Sequence, residues 1–197
     1  MPFLLILLAG ATWSAEADRL WLKGNYREAL EQFGAMAGTD PLAAALGKAR
    51  CLKSEGKYDE ALAELSGAIV KKPADARLHA ARAELLAIQG KNKDAAAAAA
   101  KAMEHDPKNL LARLVRAELL GDAGDFEKAN AERKWFIDHY NEAQPSDPER
   151  LVLIAQAAIK YSVQNKRHDE LDFILNDMLG DALKADADYW PAKWLSG

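Results

Sequence analysis

Four histidines, His79, His105, His139 and His168, recur 26, 34 and 29 residues apart. Imidazoles are metal ligands and general bases, but both roles need several groups to meet at one point. Two neighbouring carboxylate pairs, Asp59-Glu60 and Asp169-Glu170, offer a second chemistry. Paired carboxylates do acid–base work when their surroundings push their pKa values apart. The same residues also favour the first turn of a helix, where negative charge meets the positive end of the dipole. A single thiol, Cys51, cannot form an internal disulfide, and a metal cluster needs more ligands. Its helical, apolar neighbours point to a buried small side chain, with a reactive or intermolecular thiol as the alternative. No HExxH, no phosphate loop ending in GKS or GKT and no GxSxG elbow is present. The chain is therefore not expected to be an enzyme, nor to carry a metal or a cofactor.

The elements that would position these groups follow from composition and pattern. Half of the 197 residues are hydrophobic and 28% are charged, a balance that supports a packed protein. Ala, Leu, Glu, Lys and Asp dominate while β-branched residues are sparse, which predicts an all-α chain. The formal net charge of −4 gives no electrostatic reason to expect nucleic acid.

The N-terminus differs in kind. Phe3 to Ala11 is uninterruptedly apolar. It is much shorter than the roughly 20 residues that span a bilayer. Ala15-Glu16-Ala17 has the A-x-A form of a signal-peptidase site, and so does Ala9-Gly10-Ala11. The usual basic residues before the apolar run are missing. The expectation is a signal peptide over 1–17, export to the periplasm or beyond, and no membrane span after cleavage. An uncleaved anchor and a buried first helix are the alternatives.

A repeat organises the rest of the chain. GNYREAL from Gly24, GKYDEAL from Gly56, GKNKDAA from Gly90 and GDFEKAN from Gly124 place their glycines 32, 34 and 34 residues apart. Apolar residues at helical spacing precede each glycine, as with Leu110, Leu114, Ala117 and Leu120. Glycine then ends the helix in a left-handed conformation. Two residues on, Tyr26, Tyr58 and Phe126 are placed to plug the space between paired helices. Asn92 stands there in the third segment and predicts looser packing. Ala29, Ala61, Ala95 and Ala129 allow two helix axes to approach. Pro41, Pro73 and Pro107 mark the next turn, and Asp40-Pro41 and Asp147-Pro148 suit an N-cap followed by a first helical turn.

This pattern resembles the tetratricopeptide repeat. The small residue midway along the family's first helix is matched by Ala49, Ala83 and Ala117, and the large apolar residue after it by Leu52, Leu86 and Leu120. The family's early tryptophan is replaced by Ala45, His79 and Arg113. The resemblance implies a right-handed superhelical array of four to five helix hairpins: clear repeats over 18–140, a divergent hairpin over 141–186, and the start of a further repeat over 187–197. It also implies that first helices line a concave groove. On that phase the groove carries Trp21, Leu46, Arg50, Lys53, Arg77, Ala80, Glu84, Leu114 and Glu118. Arg50, Glu84 and Glu118 stand where one subclass holds the asparagines of a carboxylate clamp, which speaks against a receptor for chain-terminal carboxylates. The expected function is a scaffold presenting this groove to a peptide or protein partner. The alternative is the repeat segment of a larger secreted enzyme. Trp190 and Trp194 suggest self-association at the C-terminal end.

Overall fold

The computed structural model describes residues 15–197, so the apolar run at 3–11 and the Ala9–Ala11 motif lie outside the described residues. Among the described residues the chain is helical with no strand, and no helix is long and apolar enough to cross a membrane. It divides into two compact units, the first ending at Pro107 and the second beginning at Lys108.

The first unit contains three hairpins. Helix α1 (15–22) pairs with α2 (Tyr26–Ala35), α3 (Pro41–Ser54) with α4 (Tyr58–Lys71), and α5 (Ala76–Ile88) with α6 (Asn92–His105). Gly24, Gly56 and Gly90 turn each hairpin at φ between +70° and +80°. That region strains any residue with a Cβ. The far ends start on caps: the Asp40 carboxylate accepts from the Ala43 N–H with Pro41 in the first turn, and Asp75 accepts from the Arg77 N–H.

The interior is apolar. Phe33, Met36, Ala44 and Cys51 pack with Ala17 and Trp21 in one cluster, and Leu52, Leu65, Leu78 and Leu85 form the next. Phe33 lies over Gly47 so closely that a Cβ there would sit 2.2 Å from its ring. The Ala15–Ala17 motif occupies the start of α1, with Ala17 fully buried. Asn92 does not loosen the third hairpin, because Ala95, Ala98, Ala99 and Ala102 are all buried. Their small side chains bring α5 and α6 into the most extensive helix pairing among the described elements. One face of the alanine run 95–100 is therefore a close-packing surface, while Ala96, Ala97 and Ala100 face solvent.

The second unit repeats the scheme with longer parts. Helix α7 (Leu110–Asp122) pairs with α8 (Phe126–Ala143) across Gly124, and α9 (Pro148–Gln164) pairs with a long bent partner. That partner runs through α10 (His168–Phe173), a π-helical segment Ile174–Met178, and α11 (Leu179–Ala185). A short α12 (Trp190–Ser196) follows. Helix α8 has 18 residues against 14 in α4 and α6, and this starts the fifth hairpin later than the repeat spacing would. Non-glycine residues take two left-handed corners here, Gln144 at φ +43° and Lys166 at φ +56°. Phe126 departs from the expected role: it is 62% exposed and fills no gap between helices.

Candidate functional site

The face of the first helices was the predicted site. In the first unit its side chains are tied to one another. The Arg50 guanidinium donates to the Asp18 carboxylate of the preceding hairpin and stacks 4.3 Å from the Trp21 ring centroid. The Trp21 indole N–H donates to Ser54 Oγ at 3.0 Å. Lys53 Nζ donates to both Glu84 carboxylate oxygens at 2.7 and 2.8 Å. The positive charges of Arg50 and Lys53 are thus neutralised by acids of neighbouring hairpins. Arg77 lies apart, holding Asp75 in the turn before α5 through Nε and Nη2. Leu46 is half-buried against its unit's core, and Trp21, Ala80 and Leu114 are buried.

In the second unit, Glu118 takes a hydrogen bond from Lys160 of α9. Asp18, Arg50, Glu84 and Glu118 each stand six residues before their glycine, and Lys160 stands six before the left-handed Lys166. Within each unit this repeat position supplies one acid–base pair, Asp18 with Arg50 and Glu118 with Lys160, while Glu84 pairs with Lys53, three residues before its glycine.

Beside Glu118 the second unit opens a cleft of about 400 Å³. It is lined by Glu118, Gly121 and Asp122 of α7, Phe126 and Arg133 of α8, and Lys160, Val163 and Gln164 of α9. Arg133 is 3% exposed. Its Nη1 donates to Gln164 Oε1 at 2.9 Å, while its Nε is buried without an acceptor. Nη2 reaches only Glu118 Oε1, at 3.9 Å, an ion pair too long for a hydrogen bond. It lies beneath Gly121, where a Cβ would come within 3.0 Å of it.

Sequence reasoning missed Arg133, Gly121, Lys160 and Gln164. A signal was present: Arg133 follows its glycine by nine residues, as the apolar Phe33, Leu65 and Ala99 follow theirs. Ser162 shows the same departure. It is fully buried where Leu20, Leu52, Leu86 and Leu120 stand in the other hairpins, and its hydroxyl donates to Glu170 at 3.0 Å.

The residues whose types could do chemistry have other roles. Asp59, Glu60, Asp169 and Glu170 lie in the first turns of α4 and α10. Cys51 is fully buried, and burial pushes its thiol up to about 11. His79 and His105 do meet, their rings 5.8 Å apart. The start of α5 and the end of α6 bring them together within the third hairpin. His79 Nε2 is occupied by the Pro73 carbonyl at 2.7 Å. His139 stacks on Trp135 at 4.8 Å, and Arg113 covers the Trp135 ring at 3.9 Å. Burial, with Lys108, Arg150 and Arg113 nearby, holds His139 below its usual pKa. No cluster of three or more His, Cys, Asp or Glu suited to a metal occurs among the described residues.

Glycine-cornered hairpins whose first helices interlock through side chains define a helical repeat protein. The tetratricopeptide repeat model matches residues 20–85, so this stretch of the chain carries tetratricopeptide repeats. Its fold is similar to that of a thermophilic tetratricopeptide repeat protein of Thermus thermophilus. The TM-score is 0.64 with 18% identity, over 94% of this chain and 95% of the other. A tetratricopeptide repeat protein of Parabacteroides merdae gives a TM-score of 0.52 at 16% identity, over 95% and 72% of the two chains. The MamA protein gives 0.51 at 14% identity, over 90% and 92%. At these identities the likeness concerns the fold. No curated protein sequence matched the chain.

Proposed function

We propose that the chain is a protein-interaction scaffold that works outside the cytoplasm and receives a peptide or protein segment on the faces of its first helices. The fold supports binding as the general role. One observation carries the choice of face: charged side chains of the first helices are fixed there by ties between neighbouring hairpins, Arg50 to Asp18 and Lys53 to Glu84 in the first unit. Side chains already held in place lose little freedom on binding, so more of the contact energy appears as affinity. Half-exposed charges give orientation and partner choice, and a few anchors give most of the affinity. Export rests on the apolar run at 3–11 and the small residues after it.

Two measurements test this reading. Affinity capture from an envelope fraction compares the chain with Lys53→Gln/Glu84→Gln, a pair of changes that removes the tie without leaving an orphan charge. Captured partners are expected to weaken or disappear while helicity is retained, and an identical set would move the site off this face. Fusing residues 1–17 to a reporter phosphatase active only outside the cytoplasm tests export. A silent reporter would sink that part.

A further inference from the structure

The cleft around Arg133 has features that hairpin packing does not require. Leu65 fills the equivalent position of the second hairpin with no buried charge. A guanidinium there bears a desolvation cost that its contacts repay only in part, since one N–H donor has no acceptor and another sits 3.9 Å from its nearest one. Gly121 is helical and turns no corner, and glycine weakens a helix there. Its missing side chain leaves room over Nη2. Lys160, at the rim, is half-exposed. Phe126 and Val163, 62% and 58% exposed, are two of the large apolar side chains left open to solvent, and both line this cleft.

We infer that this cleft receives a protein segment carrying one acidic side chain beside a large apolar one. This rests on the scaffold reading above and names the recognition chemistry. The incoming carboxylate enters over Gly121 and accepts from Arg133 Nη2 and from Lys160, taking the share of both cations that Glu118 now holds. The neighbouring apolar side chain covers Phe126 and Val163. Asp122 on the rim and Glu118 within repel a second acidic residue, so a run of acids is disfavoured.

The test is selection of a displayed library of random twelve-residue segments on the whole chain, followed by anisotropy titration of synthetic, amidated copies of the enriched segments. Expected are segments sharing one Asp or Glu next to a large apolar residue. Replacing that acid with its amide should weaken binding about tenfold or more, the scale of one lost charge-assisted bond. Gly121→Ala should weaken it comparably while circular dichroism and the thermal midpoint hold, because the added methyl crowds Nη2. Lys160→Gln, a surface change, should also weaken it, and Glu118→Gln should tighten it by removing the internal competitor. Amide and acid segments binding alike would overturn the inference, as would segments bound equally by the chain and Gly121→Ala. Either result leaves the scaffold reading standing, whereas a native chain that enriches nothing counts against both.

Discussion

The second and fourth hairpins share one skeleton and differ in what fills it. Nine residues after the turning glycine, Leu65 closes its hairpin with a fully buried apolar side chain, and in the same place Arg133 is buried with a donor left over. Where the first unit sets Leu52 near its corner, the fifth hairpin buries the Ser162 hydroxyl against Glu170. The first unit ties its charges in pairs across the surface. The second brings an arginine inside and leaves a cleft above it. A repeat position can thus be spent on packing or on recognition, and the repeat survives both choices because glycine corners and alanine crossings carry the geometry.

The contrast sharpens most at Phe33. Phe33→Ala is expected to lose about 3–5 kcal/mol in denaturant unfolding, as expected for a large core ring. Gly47→Ala, which would push a methyl into the same ring, should lose about 1–3 kcal/mol. If Gly47→Ala proves neutral, the first unit is less tightly filled than its contacts indicate.

Arg133→Met is the opposite case. Stability should stay level or rise by up to about 2 kcal/mol, since a buried charge gives way to an apolar chain. A loss approaching that of Phe33→Ala would make Arg133 a structural residue and erase the difference between the two hairpins.

Lys166→Gly compares corners. Lys166 takes a left-handed conformation that the turns within the other four hairpins assign to glycine. The change should gain about 1 kcal/mol, read as a higher denaturant midpoint, and no gain would mean that Lys166 has contacts offsetting its backbone strain.

The smallest effect concerns pH. His139 stacks on Trp135 and is surrounded by Lys108, Arg113 and Arg150, with Glu142 opposing them. Its folded pKa lies below the ordinary value of 6.5, so the native state favours the neutral ring. The resulting stabilisation is complete well above that value and is lost as pH falls below it, when the unfolded chain takes up the proton first. Unfolding midpoints of the chain should therefore fall more steeply below pH 6.5 than those of His139→Gln, and parallel curves would remove the effect.

Much of the fold was legible because it depends on local chemistry. Gly24, Gly56, Gly90 and Gly124 marked corners that they do form, and Asp40-Pro41 and Asp147-Pro148 begin helices as caps do. The site was less legible, because sign and burial arise between hairpins. The acids that pair with Arg50 and Lys53, Asp18 and Glu84, reach them only across neighbouring hairpins. Arg133 looks like one more surface charge of an amphipathic helix unless it is set beside Phe33, Leu65 and Ala99. Phe126 misled in the other direction, since an aromatic at the plug position was assumed to plug.

The π-helical segment at Ile174–Met178 bears on how the chain tolerates changes of length. In a regular helix such as α4, deleting one residue rotates everything beyond it by about 100° and turns a buried face toward water. A π turn already holds a residue more than an α turn needs. A single deletion there can tighten the turn to α-helix while Leu179 and Ala182 keep facing the core they now share with Ile154 and Ala158. The last hairpin thus carries slack against a one-residue deletion that the uninterrupted helices α4 and α6 lack.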